Sequence, residues 1–388
     1  MHIARLALED FRNYEREEVE LVAGLNLVVG PNAHGKTNLL EAVHFIGGLG
    51  SPRGPDAAVI GDGAERAILH AQVVRGTRSA EIALELRAGR RARALVNGTA
   101  VPTARALSEL IACVFFGPDD LLLVKGSPDR RRRFLDDLVV KLRPARGDVR
   151  REWERVLRQR NALLKSSPRE RGDAHDPGGA LRVWNDTFCR AGAAVAAARL
   201  AGLASLVPYA RKRYEAIAGR GSIELKYVSE WLDESVARAA IDNPEGIDEA
   251  RLNEVLLEKT AASLGREIER GVSLVGPQRD DVAVGLASSG GATVLDARNF
   301  ASQGDQRSAA LALKLGEYDL LTETLGEEPI LLLDDVFSEL DPDRRRWLAD
   351  TVRGGGQTLL SSAEPEVVEL APSDVVIRVN EGRIDAGR

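Results

Sequence analysis

Leu25-Asn26-Leu27-Val28-Val29-Gly30-Pro31-Asn32-Ala33-His34-Gly35-Lys36-Thr37 is a short apolar run followed by a loop that fits G-x-x-x-x-G-K-[ST] at every fixed position. The pattern describes a strand, a phosphate-binding loop and the start of a helix. Backbone N–H groups of such a loop wrap a polyphosphate and pass it to the helix N-terminus, whose unsatisfied amides favour an anion. Gly30 and Gly35 are expected to permit the curl, because a Cβ there would obstruct the backbone's approach to the phosphates. Gly30, Pro31, Asn32, Ala33, His34, Gly35, Lys36 and Thr37 together form the expected cradle; Lys36 reaches the β- and γ-phosphates and the Thr37 hydroxyl ligates Mg²⁺. The helix that follows is visible as Leu39, Leu40, Val43 and Ile46.

A second motif completes the first. Ile330-Leu331-Leu332-Leu333-Asp334-Asp335 is an apolar run ending in two carboxylates, the pattern of a buried parallel strand whose C-terminal end meets a ligand. Asp334 is expected to hold Mg²⁺, directly or through water, and Asp335 to polarise an attacking water. Ser302-Gln303-Gly304-Asp305-Gln306-Arg307 precedes an apolar-periodic helix, so Ser302 and the amides after it offer another anion-binding helix N-terminus. Taken alone, that element reads as a plain helix cap or turn, and so does Ser338-Glu339-Leu340-Asp341.

The order of these elements resembles ABC-type ATPase heads. That resemblance implies ATP and Mg²⁺ as cofactors, and a site in which Ser302 and Gly304 of one subunit cover the γ-phosphate held by another. Lys36, Asp335 and Ser302 are then the catalytic set, completed only in an ATP-dependent homodimer.

The remaining chain fits a head with an insertion. With 388 residues there is room for about two domains, and 44% hydrophobic content is ordinary for a globular protein. The formal net charge of −6 argues against a generally cationic nucleic-acid coat. Cys113 and Cys189 lack C-x-x-C spacing and read as buried free thiols, which fits a cytoplasmic location; no basic-then-apolar leader opens the sequence. Ala191 to Val207 is mostly alanine and carries Arg199, so a packed helix is expected there rather than a membrane span.

The first hundred residues alternate in strand fashion, with Gly76, Gly89 and Asn97-Gly98 as turns between antiparallel strands. Ser127-Pro128 opens a helix that Pro144 closes, and Val149, Trp153, Val156, Leu157 and Leu164 mark a second. The polar segment Ser166 to Gly179 reads as an exposed connection, Pro208 as a kink or break in the following helix, and Asp248 to Arg270 as a helix stopped by Gly271. The expected fold class is α/β: an ABC-type P-loop ATPase head at 1–125 and 271–388, with a mixed sheet and an antiparallel β subdomain. A helical lobe at 126–270 is inserted, too short for a long coiled coil.

Further motifs resemble the RecF family of bacterial recombination mediators, essentially end to end. They are Leu8-Glu9-Asp10-Phe11-Arg12-Asn13-Tyr14, Phe116-Gly117-Pro118-Asp119-Asp120-Leu121, Gly126-Ser127-Pro128, Gly276-Pro277-Gln278-Arg279-Asp280-Asp281 and Leu333 to Asp341. The resemblance implies a weak, DNA-stimulated ATPase that dimerises on ATP at DNA gaps and helps load RecA with RecO and RecR. The sequence departs from the pattern at Asp305, Gln278 and Asp335. All five histidines precede Ser302, so no switch histidine follows Thr358 to Ala363, and no Q-loop glutamine lies around Phe116 to Leu121. A shorter acid and a missing histidine imply slow turnover. Phe11 to Tyr14 is the expected neighbourhood of the adenine.

From Gly126 to Lys165 there are thirteen Lys or Arg against six Asp or Glu, densest at Arg130, Arg131, Arg132 and Arg133. Such a run is either a solvated face balanced by acids nearby or a surface for the DNA backbone; the family resemblance favours contact with duplex or junction DNA. A transport ATPase would carry the Q-loop glutamine and switch histidine, and a nuclease or scaffold relative an added acidic metal cluster or a long heptad arm. A nucleotide-dependent module that binds only proteins stays open.

Overall fold

The computed structural model describes residues 1–48, 50, 56–166, 177–287, 294–364 and 368–387. Most of the connection expected at Ser166 to Gly179 lies outside them. The chain forms two compact units, Met1–Leu121 with Ala310–Arg388, and Leu122–Ala309.

The first unit is built on two six-stranded sheets. One is antiparallel throughout: Tyr14–Glu20, His2–Phe11, Arg66–Arg75, Arg78–Arg87, Arg93–Val96 and Thr99–Ala100, in that spatial order. The Asn97-Gly98 hairpin turn has φ of 49° and 78°, the left-handed geometry that an Asn-Gly pair adopts most readily. The second sheet is mixed, in the order Arg383–Gly387, Val375–Asn380, Leu25–Val29, Thr358–Ser362, Ile330–Asp334, Cys113–Phe116, with only the first pair antiparallel.

Leu25–Val29, Ile330–Asp334 and Thr358–Ser362 are buried at every residue, which is why they read as unbroken runs rather than alternations. The helix Lys36–Ile46 places Leu39, Leu40, Val43 and Ile46 in one core with Leu6, Phe11 and Leu69 of the antiparallel sheet and Leu332 and Leu359 of the mixed one. Parallel pairing brings the C-terminal ends of four strands to one edge, where Gly30, Gly117, Asp334 and Ser362 emerge side by side.

The second unit is mainly helical, with Pro128–Leu142, Gly147–Lys165, Pro177–Ala218 and Glu249–Arg270 its longest helices. Gly271 ends the last of these at φ 64°. The expected break at Pro208 does not occur, and Pro177–Ala218 runs through it. Within it Trp184–Ala218 is long and apolar enough to cross a membrane, but 67% of its most apolar window is buried in the protein, as in a core helix. Both cysteines are buried and lie outside any disulfide among the described residues.

The boundary expected at 270/271 falls elsewhere for a definite reason. Asp281–Ala287 pairs antiparallel with Ser222–Val228 along its whole length and with Val294–Asp296 on its other side. This three-stranded sheet ties residues beyond 271 to the helical unit.

Candidate nucleotide site

The phosphate loop leaves the centre of the mixed sheet and is braced by backbone. A Cβ on Gly30 would lie 2.0 Å from the Val379 carbonyl oxygen, and one on Gly382 the same distance from the Asn13 carbonyl oxygen. Gly30 is therefore demanded by the neighbouring strand Val375–Asn380, a different cause from the phosphate approach expected of it. Gly35 has φ 120° and faces the Asn13 amide and the Tyr14 hydroxyl, so its curl is a true glycine requirement.

Side chains hold the loop from three directions. Tyr14, whose hydroxyl burial pushes up and so keeps neutral, donates to the Gly35 carbonyl at 2.9 Å. Asn13 donates to the His34 carbonyl at 3.0 Å and accepts from Asn38 at 2.8 Å. His34 Nδ1 lies 2.8 Å from Asn380 Oδ1, and the Gly382 amide donates to the His34 carbonyl at 3.0 Å. The loop's own Ala33 and, in the adjoining turn, Glu381 have φ of 67° and 47°, strained values for non-glycine residues that this surrounding structure enforces.

Lys36 crosses the mouth of the loop. Its Nζ donates to the carbonyls of Gly30 at 2.7 Å and Pro31 at 3.0 Å and to Asn32 Oδ1 at 3.3 Å. Burial lowers the pKa of its ammonium, and the charges of Asp335 and Asp334 oppose the fall. Pro31, Asn32 and Ala33 are exposed at the tip.

Thr37 Oγ1 donates to Asp334 Oδ1 at 2.9 Å, and the Ser361 hydroxyl donates to the same oxygen at 2.7 Å. Ser361 also accepts from the Asp335 amide at 2.9 Å. Asp335 turns out of its strand at φ 51°. The structure thus gathers Gly30 to Thr37, Asp334 and Asp335 at one sheet edge. It adds Ser361 and Gly382, which no local motif marks, and gives Asn13 and Tyr14 of the Leu8–Tyr14 motif a role in bracing the loop. Of Phe11 to Tyr14, the neighbourhood expected for the adenine, Phe11 and Tyr14 are 0% and 1% exposed, and Phe11 packs edge-on against Phe45.

Ser302 and Gly304 belong to the second unit. Ser302 is exposed immediately before the helix Gln303–Leu325, where its hydroxyl accepts from the Asp305 amide at 3.1 Å and donates to the Asp305 carboxylate at 2.7 Å. The acid at position 305 therefore serves as a local cap. Buried Gln306 donates to the carbonyls of Ala297 and Arg298, fixing the short turn ahead of Ser302.

The arginine run is corrected for two of its four members. Arg131 is 6% exposed, binds both oxygens of Asp281 at 2.7 and 2.8 Å and donates to the Gly126 carbonyl. Arg132 turns to Asp129 and the Asp280 carbonyl. Burial of a guanidinium demands a fixed acceptor set, which Asp281 supplies, so these side chains anchor the lobe rather than face DNA. Arg160, 0% exposed, is similarly spent on Glu267 at 2.6 Å. Arg133, Arg143, Arg146 and Arg158 are exposed and Arg130 is half-buried.

Residues 2–385 match the family described as RecF/RecN/SMC N terminal domain. A Streptomyces avermitilis protein described as DNA replication and repair protein RecF is 42% identical, over 99% of this chain and 100% of its own length. The chain belongs to the RecF family. A RecF of Beutenbergia cavernae is 43% identical over 97% of this chain and 98% of its own. The solved "Structure of the recombination mediator protein RecF-ATP in RecFOR pathway" superposes with TM-score 0.86 at 26% identity, covering all of this chain and 98% of that one. An SMC head bound to the C-winged helix domain of ScpA gives 0.53 at 14% identity, covering 100% and 97%, a likeness of fold. The RecF fold is that of an ABC-type ATPase head with a helical lobe and no long coiled coil.

Proposed function

We propose that this RecF-family chain is an ATP-dependent DNA-binding protein of recombinational repair. It binds ATP with Mg²⁺ and pairs with a second copy, so that Ser302 and Gly304 of one complete the site of the other. The dimer holds DNA at single-stranded gaps and, with RecO and RecR, helps load RecA; slow, DNA-stimulated hydrolysis resets it. The closed dimer is the working state, and a cytoplasmic location follows from that role.

The observation that carries the reading is the hydrogen bond from Thr37 to Asp334. Thr37 gives its proton to the carboxylate, so its oxygen lone pairs are left for a hard cation, and Asp334 stands behind it as an oxygen donor directly or through water. The donor set fits Mg²⁺. Lys36 already holds its three protons toward loop oxygens, and phosphate oxygens are stronger, charged acceptors for the same protons. When bound, Mg²⁺·ATP supplies the phosphoanhydride that water cleaves. Asp335 orients that water, and Ser302 of the second copy presents a hydroxyl and a helix N-terminus to the terminal phosphate.

Backbone contact with duplex or junction DNA falls to Arg130 and Arg133 together with Arg143, Arg146 and Arg158. Anisotropy of a labelled gapped duplex, titrated with and without ATP, tests the reading. Binding should require ATP and weaken linearly in log–log terms as salt rises. Equal binding without ATP, or no salt dependence, contradicts it.

A further inference from the structure

We infer that Ser361 is a positioning residue for ATP hydrolysis, acting through Asp335; the inference rests on the proposed ATPase reading. In the ABC pattern a histidine beyond this strand steadies the terminal phosphate and water, and this chain has no histidine after His175. The strand Thr358–Ser362 instead places a serine in register with Asp334.

The hydrogen bonding of Ser361 has one consistent assignment. A hydroxyl has a single proton, and here it points to Asp334 Oδ1 at 2.7 Å, so the bond to the Asp335 amide at 2.9 Å must be accepted. The side chain is 1% exposed, which excludes water from both bonds. One atom thereby fixes the carboxylate of Asp334 and the backbone entering Asp335.

Asp335 needs that restraint. Its φ of 51° lies in the left-handed region, which Asp enters more readily than most residues with a Cβ but still at a cost. The amide on its N-terminal side is tied to Ser361, and the carbonyl on its other side accepts from the Ser338 hydroxyl at 2.8 Å. With both peptide groups held, the direction of the Cα–Cβ bond is set, and a short Asp side chain has little reach with which to correct an error. Ser362, next in the strand, turns its own hydroxyl to the Glu364 amide and cannot substitute. Ser361 gives up no proton in the reaction. Its task is to hold the water-orienting acid in a narrow range of positions, where displacement by about 1 Å slows a reaction about a hundredfold.

The role separates hydrolysis from binding, because the phosphate loop is braced by Asn13, Tyr14 and the Gly382 turn without Ser361. The test compares wild type, Ser361→Ala, Ser361→Thr and Lys36→Met for ATP affinity and single-turnover hydrolysis. Ser361→Ala is nearly isosteric. It should bind ATP within about threefold of wild type but hydrolyse it at least about tenfold more slowly. Ser361→Thr keeps the hydroxyl and should stay within about threefold of wild type in both. An alanine variant as fast as wild type, a parallel loss of affinity and rate, or a threonine variant as slow as alanine overturns the assignment. Wild-type hydrolysis no faster than that of Lys36→Met overturns the ATPase reading itself, a separate result from any of these.

Discussion

Thr37 Oγ1 donates to Asp334 Oδ1 at 2.9 Å, joining two motifs that lie 297 residues apart in the chain. The bond exists because Leu25–Val29 and Ile330–Asp334 both pair in parallel with Thr358–Ser362 and so end at the same edge of the sheet. Thr37→Val keeps the shape and removes the hydroxyl. Nucleotide affinity in the presence of Mg²⁺ should fall at least about tenfold, about 1.4 kcal/mol, with little change in its absence. Titration of a fluorescent ATP analogue with and without Mg²⁺ checks this; equal losses in both conditions would place the threonine outside the metal's reach.

The turn after Val375–Asn380 is as much a part of the site as the loop it supports. A Cβ on Gly382 would strike the Asn13 carbonyl, and its φ of 74° adds a conformational penalty. Gly382→Ala should cost about 2 kcal/mol or more and weaken ATP binding, because Asn13 and His34 shift with it. Thermal unfolding and ATP titration measure the two effects.

In the second unit Arg160 and Glu267 form an ion pair with both side chains 0% exposed, completed by Ser273 and Asn185 and by the Phe188 ring 4.5 Å from the guanidinium carbon. Removing one partner strands the other charge. Glu267→Ala should destabilise by about 3–5 kcal/mol, and the Arg160→Met/Glu267→Leu double variant by much less, as urea denaturation followed by tryptophan fluorescence would show.

Asp280 gives the same unit a pH dependence. It accepts from the Tyr227 hydroxyl at 2.6 Å and the Trp231 indole at 3.0 Å, and burial pushes its carboxyl from 3.8 up to about 6 against these bonds. Between those values the folded chain binds more protons than the unfolded one. The carboxyl's contribution is therefore fully present below about pH 3.8 and is lost as pH rises through about 6. The change corresponds to about 3 kcal/mol. Wild-type stability relative to Asp280→Asn should fall by that order between about pH 4 and pH 7 in urea denaturation; a constant difference would contradict it.

These sites differ in how much of them the sequence discloses. The phosphate loop and the paired acids are legible because each is a contiguous motif with fixed spacing. Ser361 is not, since its role comes from strand register, which a single serine in an apolar run does not announce. Arg131 and Arg132 look available to DNA in a charge count, yet Asp281 and Asp280, the partners that consume them, lie about 150 residues away in sequence. The pairing of Ser222–Val228 with Asp281–Ala287 is non-local, so no local pattern announces it, and it moves the boundary of the lobe. Gly30 is legible as a required glycine and misleading about why, because the obstructing atom belongs to Val379.

The central claim is that ATP bound at Lys36 is read out by Ser302 of a second copy. Light-scattering mass measurements with and without Mg²⁺·ATP test it most directly. Wild type should shift from monomer to dimer on adding ATP, Lys36→Met should stay monomeric because it loses the nucleotide, and Ser302→Arg should bind ATP yet stay monomeric. A wild-type chain that remains monomeric in saturating ATP, or a Ser302→Arg variant that dimerises as wild type does, would contradict the account.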